Sequence, residues 1–251
     1  MRSDHNNKII KMKAMIFAAG LGKRLGEITK EIPKALIEIG GKSILKIAVE
    51  NLAGRGFDDI VVNIHHFADQ VENEIELLRK EGFHISVSDE RDQLLETGGG
   101  LFKARWFFDQ RPFLLYNTDI ITDLDINAFY RFHIEKKGLA TLAVKKREDN
   151  RFFLVDRQGL MKGWCNKATG EEIIAGERTE KFSEMAFSGI HVANPVIFDY
   201  MDEGIYSMTT LYLRLAADHK IQTFSHDEGF WIDIGTSDSL EKARKYYRKD
   251  H

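Results

Sequence analysis

Cysteine and proline are almost missing from this chain: Cys165 is alone, and there are three prolines in 251 residues. A single thiol excludes an intramolecular disulfide and a cysteine-built zinc cage. Nothing beside Cys165 would lower its pKa, so it reads as a half-buried structural thiol. No run approaches the roughly 18 apolar residues of a membrane span. The first eleven residues are polar and charged, without the apolar core of a signal peptide. They read as an N-terminal tail before Met12, and the cytoplasm is the expected location. Positive charge is not in excess either. A net charge of −3 advertises no nucleic-acid or membrane partner, while leaving room for a local basic patch that holds a phosphorylated small molecule. No repeat, low-complexity tract or linker divides the chain, so residues 12–251 are expected as one domain, monomeric or homodimeric.

What is there is a soluble composition, 43% hydrophobic and 30% charged, sufficient for a full core. Strand-like and helix-like segments alternate through the first half, which predicts a mainly parallel sheet covered by helices. Strands are expected at 14–19, 60–64, 84–87, 113–116 and 140–144. Helices are expected at 44–52, 71–78, 99–108 and 126–136, with Asp125 as the cap of the last. Residues 147–186 read as hairpins and an insertion. A returning core strand at 187–192, helices near 195–202 and 208–219, a strand at 221–225 and a charged helix at 237–249 finish the pattern. Trp106, Phe107 and Phe108 read as core.

The chemistry concentrates in the stretch from Lys13 to Lys34, KAMIFAAGLGKRLGEITKEIPK. A buried strand breaks into Gly20-Leu21-Gly22-Lys23-Arg24, where glycines allow close backbone approach and N–H groups with two cations suit a polyphosphate. The spacing does not fit a P-loop, because Gly22-Lys23 is followed by Arg24 and the first glycine lies too close. G-x-G-x-x-x-G is one residue too long for the dinucleotide fingerprint, whose acidic ribose clamp is also missing after the second strand. The remaining option is G-x-G-x-R followed by a Pro-Lys pair, here Pro33-Lys34.

AAGLGKRL and IPKAL, in that order, resemble the sugar-1-phosphate nucleotidyltransferase family. One departure is Glu27, where the family usually has proline. Leu94 to Gly100, LLETGGG, resembles the N-acetylmuramic acid 1-phosphate uridylyltransferase branch of that family. The resemblance implies a Rossmann-like three-layer α/β/α sandwich with a mixed, mainly parallel sheet. It also implies condensation of an NTP, UTP foremost, with a sugar 1-phosphate, that of N-acetylmuramic acid foremost, to give an NDP-sugar and pyrophosphate. A guanylyl or cytidylyl transferase for mannose or heptose 1-phosphate shares the pattern. A GT-A glycosyltransferase using Asp123-Leu124-Asp125 is a more distant alternative, and a non-catalytic nucleotide-sugar sensor another.

Two apolar strands end in carboxylates. Asp119 closes FLLYNTD and Asp233 lies in FWIDIGT, more than a hundred residues away; strand ends of this kind are where ligands bind in a parallel sheet. The resemblance makes Asp119 and Asp233 the Mg²⁺ ligands, with Arg24, Lys34 and Asp119 as catalytic residues. Ala18, Ala19, Gly20, Gly22 and Lys23 would hold the nucleotide's phosphates. Asn63, Glu96, Thr97 and Gly98 would meet the nucleotide, with the three glycines letting a flat base lie on backbone; the plainer reading makes Thr97 a helix cap. Asn150, Ser188 and Gly189 are expected near the sugar. His65 and His66 point to opposite faces of a strand and read as structural.

Overall fold

A computed structural model describes residues 12–177 and 181–250; the tail 1–11 lies outside the described residues. The first half begins with β1 (Lys13–Phe17), a 3-10 helix Lys23–Lys30, a turn Lys34–Leu36 and the hairpin β2 (Glu38–Ile39) and β3 (Lys42–Ser43). It continues with α1 (Ile44–Ala53), β4 (Asp59–Ile64), α2 (Ala68–Lys80), β5 (His84–Asp89), α3 (Glu96–Lys103), β6 (Phe113–Asn117), β7 (Ile120–Thr122) and α4 (Ile126–Lys136). The second half holds β8 (Ala140–Lys145), β9 (Arg151–Val155), β10 (Met161–Asn166), β11 (Glu171–Ile174) and β12 (Ser183–Ala193). It ends with a 3-10 helix Pro195–Tyr200, α5 (Met208–Leu215), β13 (Ile221–Ser225), β14 (Trp231–Asp233) and α6 (Ser237–Asp250).

The main sheet runs β11-β10-β9-β12-β6-β1-β4-β5, and β8 joins it between β12 and β13. Strands β6, β1, β4 and β5 are parallel, whereas β12 is antiparallel to β6, β8 and β9. The sandwich follows from side-chain alternation. Ala14 and Ile16 of β1 pack with Leu45, Leu52, Val71 and Phe129 of α1, α2 and α4, while Met15 and Phe17 face Leu101 of α3 and Leu211 of α5. One strand therefore feeds two cores, which is why its sequence is apolar without alternation. The three-layer α/β/α expectation holds.

Differences from the sequence reading are local. Strand β1 stops at Phe17, leaving Ala18 and Ala19 in the loop. Helix α3 runs from Glu96 to Lys103, so it starts three residues before the expected 99 and stops short of 108. Residues 195–200 form a 3-10 helix, not an α-helix. Cys165 is buried, 6% exposed, and burial pushes its thiol up, keeping it protonated and inert. Trp106 is 61% exposed instead of core, because the helix has ended at Lys103 and a 3-10 turn at Arg105–Phe107 swings it outward. Phe107 and Phe108 do pack on the α3–α5 side of the core. Asp125 caps α4, accepting from Ala128 N at 2.9 Å.

Candidate active site

Strands β6, β1 and β4 end side by side, and their carboxyl ends open onto a cleft of about 440 Å³. Its floor is the loop after β1, held from both sides. Thr118 Oγ1 donates to the Phe17 carbonyl (2.6 Å), and Asn63 Oδ1 accepts from Ala18 N (2.8 Å). Asn63 Nδ2 donates to Glu90 Oε1 (2.8 Å), whose second oxygen accepts from Leu95 N (3.2 Å). Glu90 is fully buried, and that burial raises its carboxyl above the ordinary range despite these two donors. Asn63 is thus a brace between the loop and the start of α3.

The glycines of the loop differ in what they permit. Gly22 has φ 63°, and a Cβ on it would meet the Thr29 methyl at 2.9 Å; the Thr29 hydroxyl lies 3.1 Å from the Gly22 carbonyl. Gly26, with φ 58° and ψ −119°, kinks the following helix, so the chain turns there without the proline that Glu27 replaces. At Gly20 a Cβ would meet only open space on the cleft side.

A second cavity of about 570 Å³ adjoins the first, and Arg24, Asn117, Asp119 and Ser207 line both. Its remaining wall comes from the antiparallel half, with Arg147, Asp149, Arg151, Phe152, Trp164, Phe187 and Trp231 among its side chains. At the junction β7 and β14 pair antiparallel, with Asp233 opposite Ile120, and Ile234 N donates to the Asp119 carbonyl (2.9 Å). This small two-stranded sheet brings the distant carboxylates together. Lys34 Nζ bonds Asp119 Oδ2 and lies 3.8 Å from Asp233 Oδ1, while Arg24 Nη2 lies 3.5 Å from Asp233 Oδ2. Gly235 makes room for that guanidinium, since a Cβ there would collide with it.

Asp233 Oδ1 is buried with no hydrogen-bond partner. Its carboxyl is raised above the ordinary range, first by burial and then by the neighbouring charge of Asp119. Asp119 and Asp233, one with an orphaned oxygen, form an oxygen-only pair beside the Lys34 and Arg24 cations. Among the described residues no cluster of three or more His, Cys, Asp or Glu forms. A hard divalent ion here would complete its shell from phosphate oxygens and water.

The comparisons agree with this geometry. The family model described as "Nucleotidyl transferase" matches residues 13–250. The chain belongs to the nucleotidyl transferase family. It is 31% identical over 235 residues to an N-acetylmuramate alpha-1-phosphate uridylyltransferase of Caulobacter vibrioides, covering 88% of this chain and 91% of that one. A protein of the same name from Neisseria meningitidis is 28% identical over 239 residues, covering 93% and 97%. In structure the chain resembles a UDP-glucose pyrophosphorylase from Acinetobacter baumanii with TM-score 0.78, at 17% identity and 96% and 95% coverage. That likeness speaks for the fold.

Within this nucleotidyl transferase fold, most expected site residues meet in one place. Ala18, Ala19, Gly20, Gly22, Lys23, Arg24, Lys34, Asn63, Glu96, Thr97 and Asp119 line the first cavity; Gly189 and Asp233 line the second. Three do not. Gly98 is absent from the cavity wall, because a side chain there would strike Tyr206, whose carbonyl accepts from Gly98 N (2.8 Å). Gly99 abuts the Gly204 carbonyl, and Gly100 abuts Glu90 and Asn63. These glycines let α3 press against the 204–206 loop and the brace. Ser188 is fully buried, with its hydroxyl on His226 Nε2 (2.7 Å) and its carbonyl on Trp231 Nε1 (2.9 Å). It secures the strand that carries Asp233. Asn150 is exposed beside the cavity, whose wall takes Asp149 and Arg151 instead.

Other residues sort into structural work. Thr97 caps no turn of its own helix; its hydroxyl accepts from Met208 N at the start of α5 (2.9 Å). Asp123 Oδ2 accepts from Phe230 N (2.8 Å), so with Asp125 acting as a cap no D-x-D metal motif forms. His65 Nδ1 bonds the Glu90 carbonyl (2.7 Å), in keeping with a structural role.

Two features escaped sequence reading. Lys145 Nζ lies 2.6–3.3 Å from the carbonyls of His226, Asp227, Glu228 and Gly229, holding the loop that leads into β14. Arg147 Nη2 donates to Asp149 (2.8 Å) and to the Phe187 carbonyl (2.9 Å), and its guanidinium lies 3.9 Å from the Trp231 ring centre. Burial lowers its pKa from the usual arginine value, against the pull of Asp149 and Asp233. The segment KKREDNR carries so much charge that nothing in it singles out these two.

Proposed function

We propose that the protein condenses an NTP with a sugar 1-phosphate to give an NDP-sugar and pyrophosphate, UTP and N-acetylmuramic acid 1-phosphate being the pair. The observation that carries the reading is the meeting of Asp119, Asp233, Lys34 and Arg24 where two adjoining cavities touch. One cavity, floored by a glycine loop at strand ends, suits the nucleotide; the other suits the acceptor. The choice of base and sugar rests on the two N-acetylmuramate alpha-1-phosphate uridylyltransferases that resemble this chain over most of its length.

In this reaction an acceptor phosphate oxygen attacks the α-phosphorus. The new P–O bond forms as the bond to the β-bridging oxygen breaks, and pyrophosphate departs with the electron pair. The nucleophile is already an anion, so no general base is needed, and the protein's task is alignment and charge stabilisation. Arg24 and the loop N–H groups hold the departing β- and γ-phosphates. Lys34 neutralises the transferring group once substrate draws it from Asp119. Asp119 and Asp233 would hold Mg²⁺, and their fit rests on the orphaned Asp233 oxygen and the oxygen-only donor set. When bound, the ion supplies Lewis-acid neutralisation of phosphate oxygens.

The test is pyrophosphate release over the four NTPs with several sugar 1-phosphates and Mg²⁺. Release with UTP and N-acetylmuramic acid 1-phosphate, suppressed by EDTA, is the expected result. Release confined to other pairs corrects the substrates, and no release from any pair removes the reading.

A further inference from the structure

Arg147 is placed as few surface arginines are. Its side chain is 20% exposed, on the wall of the acceptor cavity. One terminal nitrogen is committed to Asp149 and the Phe187 carbonyl, and its flat face lies on Trp231. The other terminal nitrogen, Nη1, is buried without any partner. A desolvated N–H of a cation left unpaired is costly, and an anionic group reaching it from the adjoining cavity would remove that cost. Nearby carboxylates do not fill the role: Asp149 is taken by Nη2, and Asp233 faces Arg24 and Lys34.

Position tells what that group is. Trp231 and Asp233 are two residues apart on β14, so they point to the same face about 6–7 Å apart. The acceptor's phosphate belongs at Asp233, where the two cavities meet. A guanidinium over Trp231 then stands one sugar-ring width further in. Trp164 and Leu213 of the same cavity give its wall an apolar part suited to an acyl substituent. We propose that Arg147 is the residue with which this cavity selects a sugar 1-phosphate bearing a second anionic group, a carboxylate, on the far side of the ring from its phosphate. The inference rests on the nucleotidyl-transfer reading and deepens it.

The test measures kcat/KM with UTP for two acceptors, N-acetylmuramic acid 1-phosphate and N-acetylglucosamine 1-phosphate, which lacks the carboxylate. Wild type is expected to prefer the first, and Arg147→Met to lower that preference ratio about 10- to 100-fold, through KM. Both acceptors are read on one preparation, so a general loss of active protein cancels in the ratio. If Arg147→Met does not fold, Arg147→Lys is read instead; it keeps the charge but not the fork, and the ratio still falls. A wild type without preference, or a folded variant whose ratio equals wild type, overturns the inference and leaves Arg147 a brace between Asp149 and Trp231. In that event pyrophosphate release from the acceptor without the carboxylate keeps nucleotidyl transfer standing. Absence of release with every acceptor and NTP overturns both.

Discussion

The two cavities meet at one wall but are made differently. The first is walled largely by backbone and small residues at the ends of parallel strands: Ala18, Ala19, Gly20 and Gly22, with Thr118 and Asn117 beside them. The second is walled by large side chains from the antiparallel half, among them Arg147, Phe152, Trp164 and Trp231. A backbone wall has few solutions, because each close approach needs a glycine or alanine at a fixed place. A side-chain wall has many. A wall of the first kind can therefore stay alike across a family while a wall of the second kind changes with its ligand.

The comparison is broken first at the shared wall. Asp119→Asn removes a carboxylate that lines both cavities, and Asp233→Asn removes its neighbour in the second. Turnover is expected to fall about a thousandfold or more, several kcal/mol of barrier, while the circular dichroism spectrum and melting temperature stay close to wild type. Near-normal turnover in either purified variant removes the metal assignment.

A smaller effect separates a glycine facing ligand from one facing protein. Gly20→Ala meets no protein atom and has no left-handed φ, so in the proposed reading its methyl can disturb only what the cleft binds. It should raise the KM for NTP about tenfold with little change in melting temperature. Gly99→Ala should do the reverse, since its methyl collides with the Gly204 carbonyl. It should cost about 1–3 kcal/mol in denaturant unfolding. Equal behaviour of the two variants would end the distinction.

The smallest effect is a slope. His191 of β12 stacks on Phe17 of the first cavity and meets Phe187 of the second edge-on. Burial drives its pKa from 6.5 down to about 3, so the folded state holds it neutral while the unfolded state takes a proton. The unfolded chain binds more protons in that window, so His191's contribution is complete above pH 6.5 and is lost as pH falls toward 3. Unfolding free energy measured against pH in His191→Phe should fall less steeply over that window than in wild type. Parallel curves would refute the assignment.

Legibility in the sequence followed the same division. The parallel half was readable because βα units repeat an apolar strand, a helical face and a glycine stop, and its loop carries a spaced motif through Arg24 and Lys34. Asp119 and Asp233 were identified as strand ends, but their meeting needed the pairing of β7 with β14, three residues each, too short to register as periodicity. Three glycines at 98–100 suggest close approach, and the structure puts Tyr206, Gly204 and Glu90 against them. A run of glycines states that something lies close; it does not state what. Ser188 was expected to face sugar because its strand does, but at this strand position it points inward to His226. Arg147 and Lys145 gave no signal, since their roles are fixed by partners about 40 and 80 residues away.

Lys145 has one more consequence. Its ammonium sits among four backbone carbonyls of residues 226–229, an arrangement that resembles a monovalent ion in an oxygen cage. Here the ion is tethered to the chain. Its effective concentration is set by a side chain and not by the buffer, so dilution or dialysis leaves this cage filled. The loop entering β14 carries its own cation, and the path of the chain into Asp233 is set by a covalently attached charge.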